Sequence, residues 1–379
     1  MAAAKYAFVV LAALSAAVHA QDTVIIPDVV ELSGAGAVSG TNWKSGVTLA
    51  AEEINAKNGI LGRKVAITHY DTQSNPGTSR GQIQKALDTS PYVILGPIFS
   101  GSVKVNMMLA QAARVPQFTG AEAAEITQMG NPYIFRTSFG QQAAMPRVAV
   151  YLRQVVKATK VAMIWVNNDF GKGGHDAFIK AAAPRGIKLV ADISTESGQP
   201  DFAADVVKIK GSGADAIFVY ENEEEAARLL KELRKQGVTI PIIGDTNLLS
   251  AKVLELAGPA AEGVSGFVGL SSDVPVKAVQ DFREKFIKRF GSTPDHNAIK
   301  GYTALYTIKY VTEKIGSFDR EKFTKAMHGM TIRPEDAPGV LLETQWDNNG
   351  DIDRVGFLGT VAHGKTVIDT TLPNIGAAK

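Results

Sequence analysis

The sequence predicts an α/β protein of two lobes, each a mostly parallel sheet flanked by helices, with a cleft between them. Three observations lead there. The 379 residues suffice for two or three domains at about 150 residues each, every one large enough for its own core. Short β-rich runs alternate with longer amphipathic stretches, the pattern of right-handed βαβ units. The alternation restarts after Gly140, and a helical and β-rich return follows, so the chain crosses between lobes more than once.

The elements follow in order. Thr23–Val29 reads as a strand whose last residues leave the ladder at Pro27, because proline has no N–H to donate. Thr41–Lys57 has apolar residues at Trp43, Val47, Leu49, Ala50 and Ile54, a helical spacing that stops at Asn58-Gly59. Strands are expected at Val65–Tyr70, Tyr92–Leu95 and Pro116–Thr119, with helices at Pro76–Leu87 and Gly101–Ala113 between them. In the second unit, strands are expected at Lys160–Val166, Lys188–Ile193, Ala216–Tyr220 and Pro241–Gly244. The helices there are Ala143–Val156, Gly173–Ala183, Phe202–Lys210 and Glu223–Gln236. Val276 to about Met330 is mainly helical, and Val340–Trp346 and Val355–Ala362 are strands around the turn Asp347-Asn348-Asn349-Gly350.

Composition excludes several classes of function. The 40 Lys+Arg against 38 Asp+Glu give a net charge of +2, with no clustered basic face of the kind nucleic acid requires. Zero cysteines exclude disulfide frameworks, Cys-based zinc sites and thiol nucleophiles. None of the six histidines is paired at metal spacing, so no metal is expected. No Gly-x-Ser-x-Gly elbow or phosphate-binding loop is present. Ser33–Gly40 lies where a dinucleotide fingerprint would, but its glycines are spaced Gly-x-Gly-x-x-x-Gly. The acidic residue expected about 20 positions later is also missing, Asp71 being too distant. The segment reads as a flexible strand-to-helix loop, and no cofactor is expected.

The first twenty residues read as an export signal: Lys5, an apolar run from Tyr6 to about Val18, then Val18-His19-Ala20 with small residues at the cleavage positions. The run is too short to span a bilayer. Cleavage after Ala20 and a periplasmic location are expected.

In open α/β sheets, ligands bind beyond the carboxyl ends of strands and against helix N-termini. Here those points are Phe99-Ser100-Gly101, Ala121-Glu122, Asn168-Asp169-Phe170, Glu221-Asn222 and Asp245-Thr246. Each has a plainer alternative. Ser100 is well placed as a helix cap, Phe170 as a core residue, and Tyr70, Tyr92 and Tyr302 as packing. Glu223, Glu224 and Glu225 open a helix and are expected to be solvated charges facing its positive end.

Several segments stand together in order: Leu32-Ser33-Gly34, Glu53-Ile54-Asn55-Ala56-Lys57-Asn58-Gly59-Ile60-Leu61-Gly62, Tyr70-Asp71-Thr72, Gly96-Pro97 with Ser100, Phe135-Arg136-Thr137, Asp169-Phe170-Gly171, Asp201-Phe202 and Trp346-Asp347. On these the chain resembles the type I periplasmic solute-binding proteins of ABC transporters, in the Leu/Ile/Val-binding branch. The resemblance implies one lobe from 21–140 with 270–350 and another from 141–269 with 351–379, closing on a small carboxylated solute for an inner-membrane permease. A monomer is expected.

By the same resemblance Ser100, with the amides around Phe99 and Gly101, holds a carboxylate. The Ala121 carbonyl takes an ammonium, and Phe170 and Asn222 cover the ligand. Glu122 and Thr246 stand where the family has a threonine and an acidic residue, so the solute is either a branched-chain or related amino acid or an aromatic or other organic acid. An ammonium would then meet Glu122 or Asp245. A soluble sensor subunit of a signalling receptor is the alternative of another class, and an exported enzyme a weaker one.

Overall fold

The computed structural model describes residues 23–374, so the expected export signal, Met1–Ala20, lies outside the described residues. The lobe that begins the chain carries a five-stranded parallel sheet. Its strands lie in the order His69–Asp71, Asp28–Val30, Ile94–Leu95, Gln117–Thr119, Ile134–Arg136. The other lobe carries seven, in the order Lys365–Leu372, Gly356–Ala362, Ser265–Val268, Ile242–Gly244, Ala216–Tyr220, Lys160–Val166, Lys188–Thr195. Gly356–Ala362 runs antiparallel to both its neighbours, and all other neighbouring strands are parallel. The chain passes from the five-stranded to the seven-stranded sheet after Arg136, leaves it after Val268, and returns after a small antiparallel sheet that ends at Asp353.

The expected strand Thr23–Val29 is two strands. Thr23–Ile25 pairs with Lys64–Ala66, and Asp28–Val30 enters the central sheet. Pro27 lies at the break, supplying its carbonyl to the Leu95 N–H while offering no donor of its own.

The Ser33–Gly40 segment is not a flexible loop. Gly34–Gly36 form a 3₁₀ turn, and the helix starts at Ala37 and runs to Ala56. The reason is close packing: a Cβ on Gly40 would lie 1.7 Å from the Glu31 carbonyl oxygen. This helix lies along helix His296–Ile315, where a Cβ on Gly46 would come within 1.9 Å of the Ala298 carbonyl. The contact anchors the late helical segment to the first lobe.

Among the strands that escape the sequence pattern are Ile134–Arg136, Ser265–Val268 and Lys365–Leu372, besides two of two residues in the small antiparallel sheet, Thr331–Ile332 and Ile352–Asp353. The first two are too short to show a period, and the third is mostly exposed. Of the expected strand Val340–Trp346 only Thr344–Trp346 forms, behind a 3₁₀ turn at Pro338–Val340. Among the described residues no helix is long and apolar enough to cross a membrane.

Candidate functional site

The lobes meet at the carboxyl ends of their strands. In the first lobe, strand Ile94–Leu95 leads through Phe99 into helix Ser100–Ala112. Ser100 is the first helical residue rather than the cap, because extended Phe99 occupies the cap position. The Ser100 Oγ accepts the Ala123 N–H at 3.2 Å, tying two strand-end loops together. The amides of Ile98 and Phe99, expected to be open to a solute, donate instead to the buried carboxylate of Glu31 at 3.1 and 3.4 Å. Burial pushes the Glu31 carboxyl up to about 7. The amides of Ser100 and Gly101, in the first turn, have no intrahelical acceptor.

After strand Gln117–Thr119, Glu122 points into the seam and pairs with buried Lys300 at 3.0 Å. The Ala121 carbonyl turns away, taken by the Arg136 guanidinium at 2.6 Å and the Ser138 hydroxyl at 3.2 Å. Arg136 in turn pairs with Asp351 at 2.6 Å. Ala121 is therefore a support of the strand-end loop, and it lines none of the cavities described below.

From the second lobe, Asn168 caps helix Asp169–Ala182 by accepting the Gly171 N–H. That cap sets Phe170 against Tyr220, stacked with ring centres 4.3 Å apart. Asn222 opens helix Glu223–Lys235 and donates to Glu225 at 3.2 Å. Glu223 and Glu225 are buried, contrary to the expectation of solvated charges. The helix start faces the other lobe instead of water. Glu223 accepts the Ser39 hydroxyl at 2.5 Å and the Asn297 side-chain N–H at 3.1 Å, both from across the seam. Glu225 accepts the Gly198 N–H at 2.6 Å. Thr246 accepts the Gly269 N–H at 2.8 Å and lines a pinhole of about 10 Å³ on the far side of Glu122 and Lys300, which border it too. Its neighbour Asp245 is buried and holds the Asn247 N–H at 3.1 Å.

Two cavities occupy the seam. One, of about 30 Å³, is bordered by Ser39, Phe99, Glu122, Phe170, Asn222 and Glu223. The other, of about 220 Å³, is bordered by Phe99, Ser100, Gly101, Asn168, Phe170 and Ser197. The two phenylalanines border both. The smaller holds about one water, so the lobes are drawn together and must part to admit a solute. A salt bridge from Lys104 to Asp169 at 2.9 Å also crosses the seam, beside a larger charged hollow of about 580 Å³ that includes none of the predicted site residues.

The structure thus brings together Phe99, Ser100, Gly101, Glu122, Phe170 and Asn222, and leaves Ala121 and Thr246 aside. Sequence reasoning missed Glu223, Asn297 and Lys300. Lys300 had one available signal: it is the lone charge in an otherwise apolar stretch, Ala298–Leu305, of a helix buried along most of its length.

The electrostatics are acidic. Burial raises Glu223 and, well above its usual range, Asp245; it takes Asp295 to about 7. Each of these carboxylates lacks a cationic partner of its own.

Two α/β lobes meeting over strand-end residues, with the seam closed to a few cavities, define a binding protein that clamps a small solute. The chain belongs to the periplasmic binding protein family, whose model matches residues 23–365. It is 25% identical over 335 residues to a Leu/Ile/Val-binding protein homolog of Brucella suis, covering 87% of each chain. Its fold matches the Streptococcus pneumoniae branched-chain amino acid transporter substrate binding protein LivJ in complex with isoleucine (TM-score 0.82, 23% identity, 93% of this chain and 99% of that one). It also matches an R. palustris solute-binding protein in complex with benzoate (TM-score 0.85, 19% identity, 93% of this chain and 97% of that one). The relatives it matches are named as binding proteins and not as enzymes, and the protein is a binding protein of that family.

Proposed function

We propose that this receptor captures an α-amino acid with an apolar side chain, branched-chain or related, and presents the closed form to an inner-membrane permease. The carboxylate is held at the first turn of helix Ser100–Ala112 by the amides of Ser100 and Gly101, where the helix dipole favours an anion. Phe170 and Asn222 cover the solute from the other lobe. The observation that carries the reading is the position of Glu122. Its carboxylate borders the same cavity as Phe99 and Phe170, with Lys300 on one oxygen, so an ammonium would meet the other oxygen. Closure follows from contacts made only when the lobes meet, such as Ser39 to Glu223.

Thermal shift tests this directly, since a ligand that binds only the folded form raises the melting temperature. Leucine or isoleucine should raise it, and isocaproate, which is leucine without its amino group, should do so far less. Ser100→Ala should weaken leucine binding about tenfold or more without loss of fold. Equal shifts with leucine and isocaproate would remove the ammonium contact. A second reading, a benzoate-like acid, draws support from Lys300 and the Phe170–Tyr220 stack; a shift with benzoate alone would favour it.

A further inference from the structure

Asp295, His296 and Glu223 form a cluster that solute capture leaves unexplained. One ligating atom from each lies within 4.8 Å of the others, and all three residues are buried. Asp295 and His296 begin helix His296–Ile315, which packs on the first lobe, whereas Glu223 begins helix Glu223–Lys235 of the second. The cluster therefore spans the seam. Asp295 spends one oxygen on the N–H groups of Asn297 and Ala298, while its other oxygen has only a long contact, 3.4 Å, to the Asn297 side chain. His296 is 2% exposed, and neither ring nitrogen has a hydrogen-bond partner. A neutral imidazole carries one donor and one lone pair, and leaving both unmet in the interior is costly.

Charge points the same way. The buried charged residues at and next to the seam are mostly acidic: Glu31, Glu122, Glu221, Glu223, Glu225, Asp245 and Asp295 stand with Arg136, Lys300 and Arg354.

We propose that Glu223, Asp295 and His296 bind a divalent transition-metal ion of the zinc type, which bridges the lobes and holds the closed form. One imidazole with two carboxylates suits such an ion better than magnesium or calcium, which take oxygen donors. Tetrahedral coordination at about 2.1 Å places donors roughly 3.4 Å apart, so the three side chains rotate inward around the ion. Because the ion needs donors from both lobes, it favours the same closed state as the solute, and each should tighten binding of the other.

The test is calorimetric titration of ZnCl₂ into the untagged, chelator-treated mature chain, with small-angle scattering before and after. One ion per chain should bind, with a more compact scattering profile and a higher melting temperature. Glu223→Gln and His296→Gln should each weaken binding at least tenfold; the first keeps the shape of the side chain, and circular dichroism checks the fold of both. No stoichiometric binding by the wild type overturns the proposal. So does unchanged affinity in both variants. Loss in His296→Gln with full affinity in Glu223→Gln overturns the bridge between lobes.

Discussion

Replacing Lys300 by methionine gives the most informative single perturbation of the seam. The Lys300 Nζ lies 3.0 Å from Glu122 and 3.3 Å from the Gly120 carbonyl, and the two side chains are 3% and 11% exposed. At that distance and an effective dielectric of about 20, the attraction is about 5 kcal/mol. Methionine fills most of the lysine's volume, so the loss is electrostatic: Glu122 is left buried without its cation, close to Asp245. Breaking a buried pair from one side costs about 3–5 kcal/mol. For lobes of this size that lowers the melting temperature by roughly 10 °C. Calorimetry should show the loss in the transition of the five-stranded lobe, since two-lobed chains need not unfold in one step. Adding Glu122→Gln to Lys300→Met should recover most of the stability, because no orphaned charge then remains. Lys300→Met within about 1 kcal/mol of wild type, or a double variant as unstable as the single one, would refute the reasoning.

Further predictions concern pH and the aromatic wall. The Glu31 carboxyl stands at about 7 in the fold against 4.5 when free. The folded state keeps a proton there that the unfolded chain has already released, so stability falls as pH rises through this window. The shift corresponds to at most roughly 3 kcal/mol, and Glu31→Gln should flatten the decline seen in melts between about pH 5 and pH 7. An unaltered slope would show that Glu31 does not hold that proton. Phe170→Ala should cost about 1–2 kcal/mol, less than a fully buried phenylalanine, while weakening leucine binding about tenfold in calorimetry. Reduced stability with unchanged affinity would make Phe170 a packing residue only.

What the sequence determined by itself was the architecture and half of the seam. Alternating β-rich and amphipathic runs are set by local periodicity, so the doubly wound lobes were legible, as were the strand-end residues Ser100, Glu122, Phe170 and Asn222. The early start of the first helix was not, because the glycines at 36 and 40 look like loop residues until Glu31 is seen packed against them. Only the tertiary structure decided which charged side chains face the seam. The three glutamates at 223–225 look alike along the chain, and burial of Glu223 depends on Ser39 and Asn297 arriving from the other lobe. Lys300 reads as an interruption in an apolar helix until Glu122 meets it across 178 positions. Ala121 and Thr246 were displaced by the same kind of cause, since Arg136 and the Gly269 amide claim their oxygens. Periodicity is a property of neighbours in sequence, whereas the partner that satisfies a buried charge is chosen by how the lobes pack.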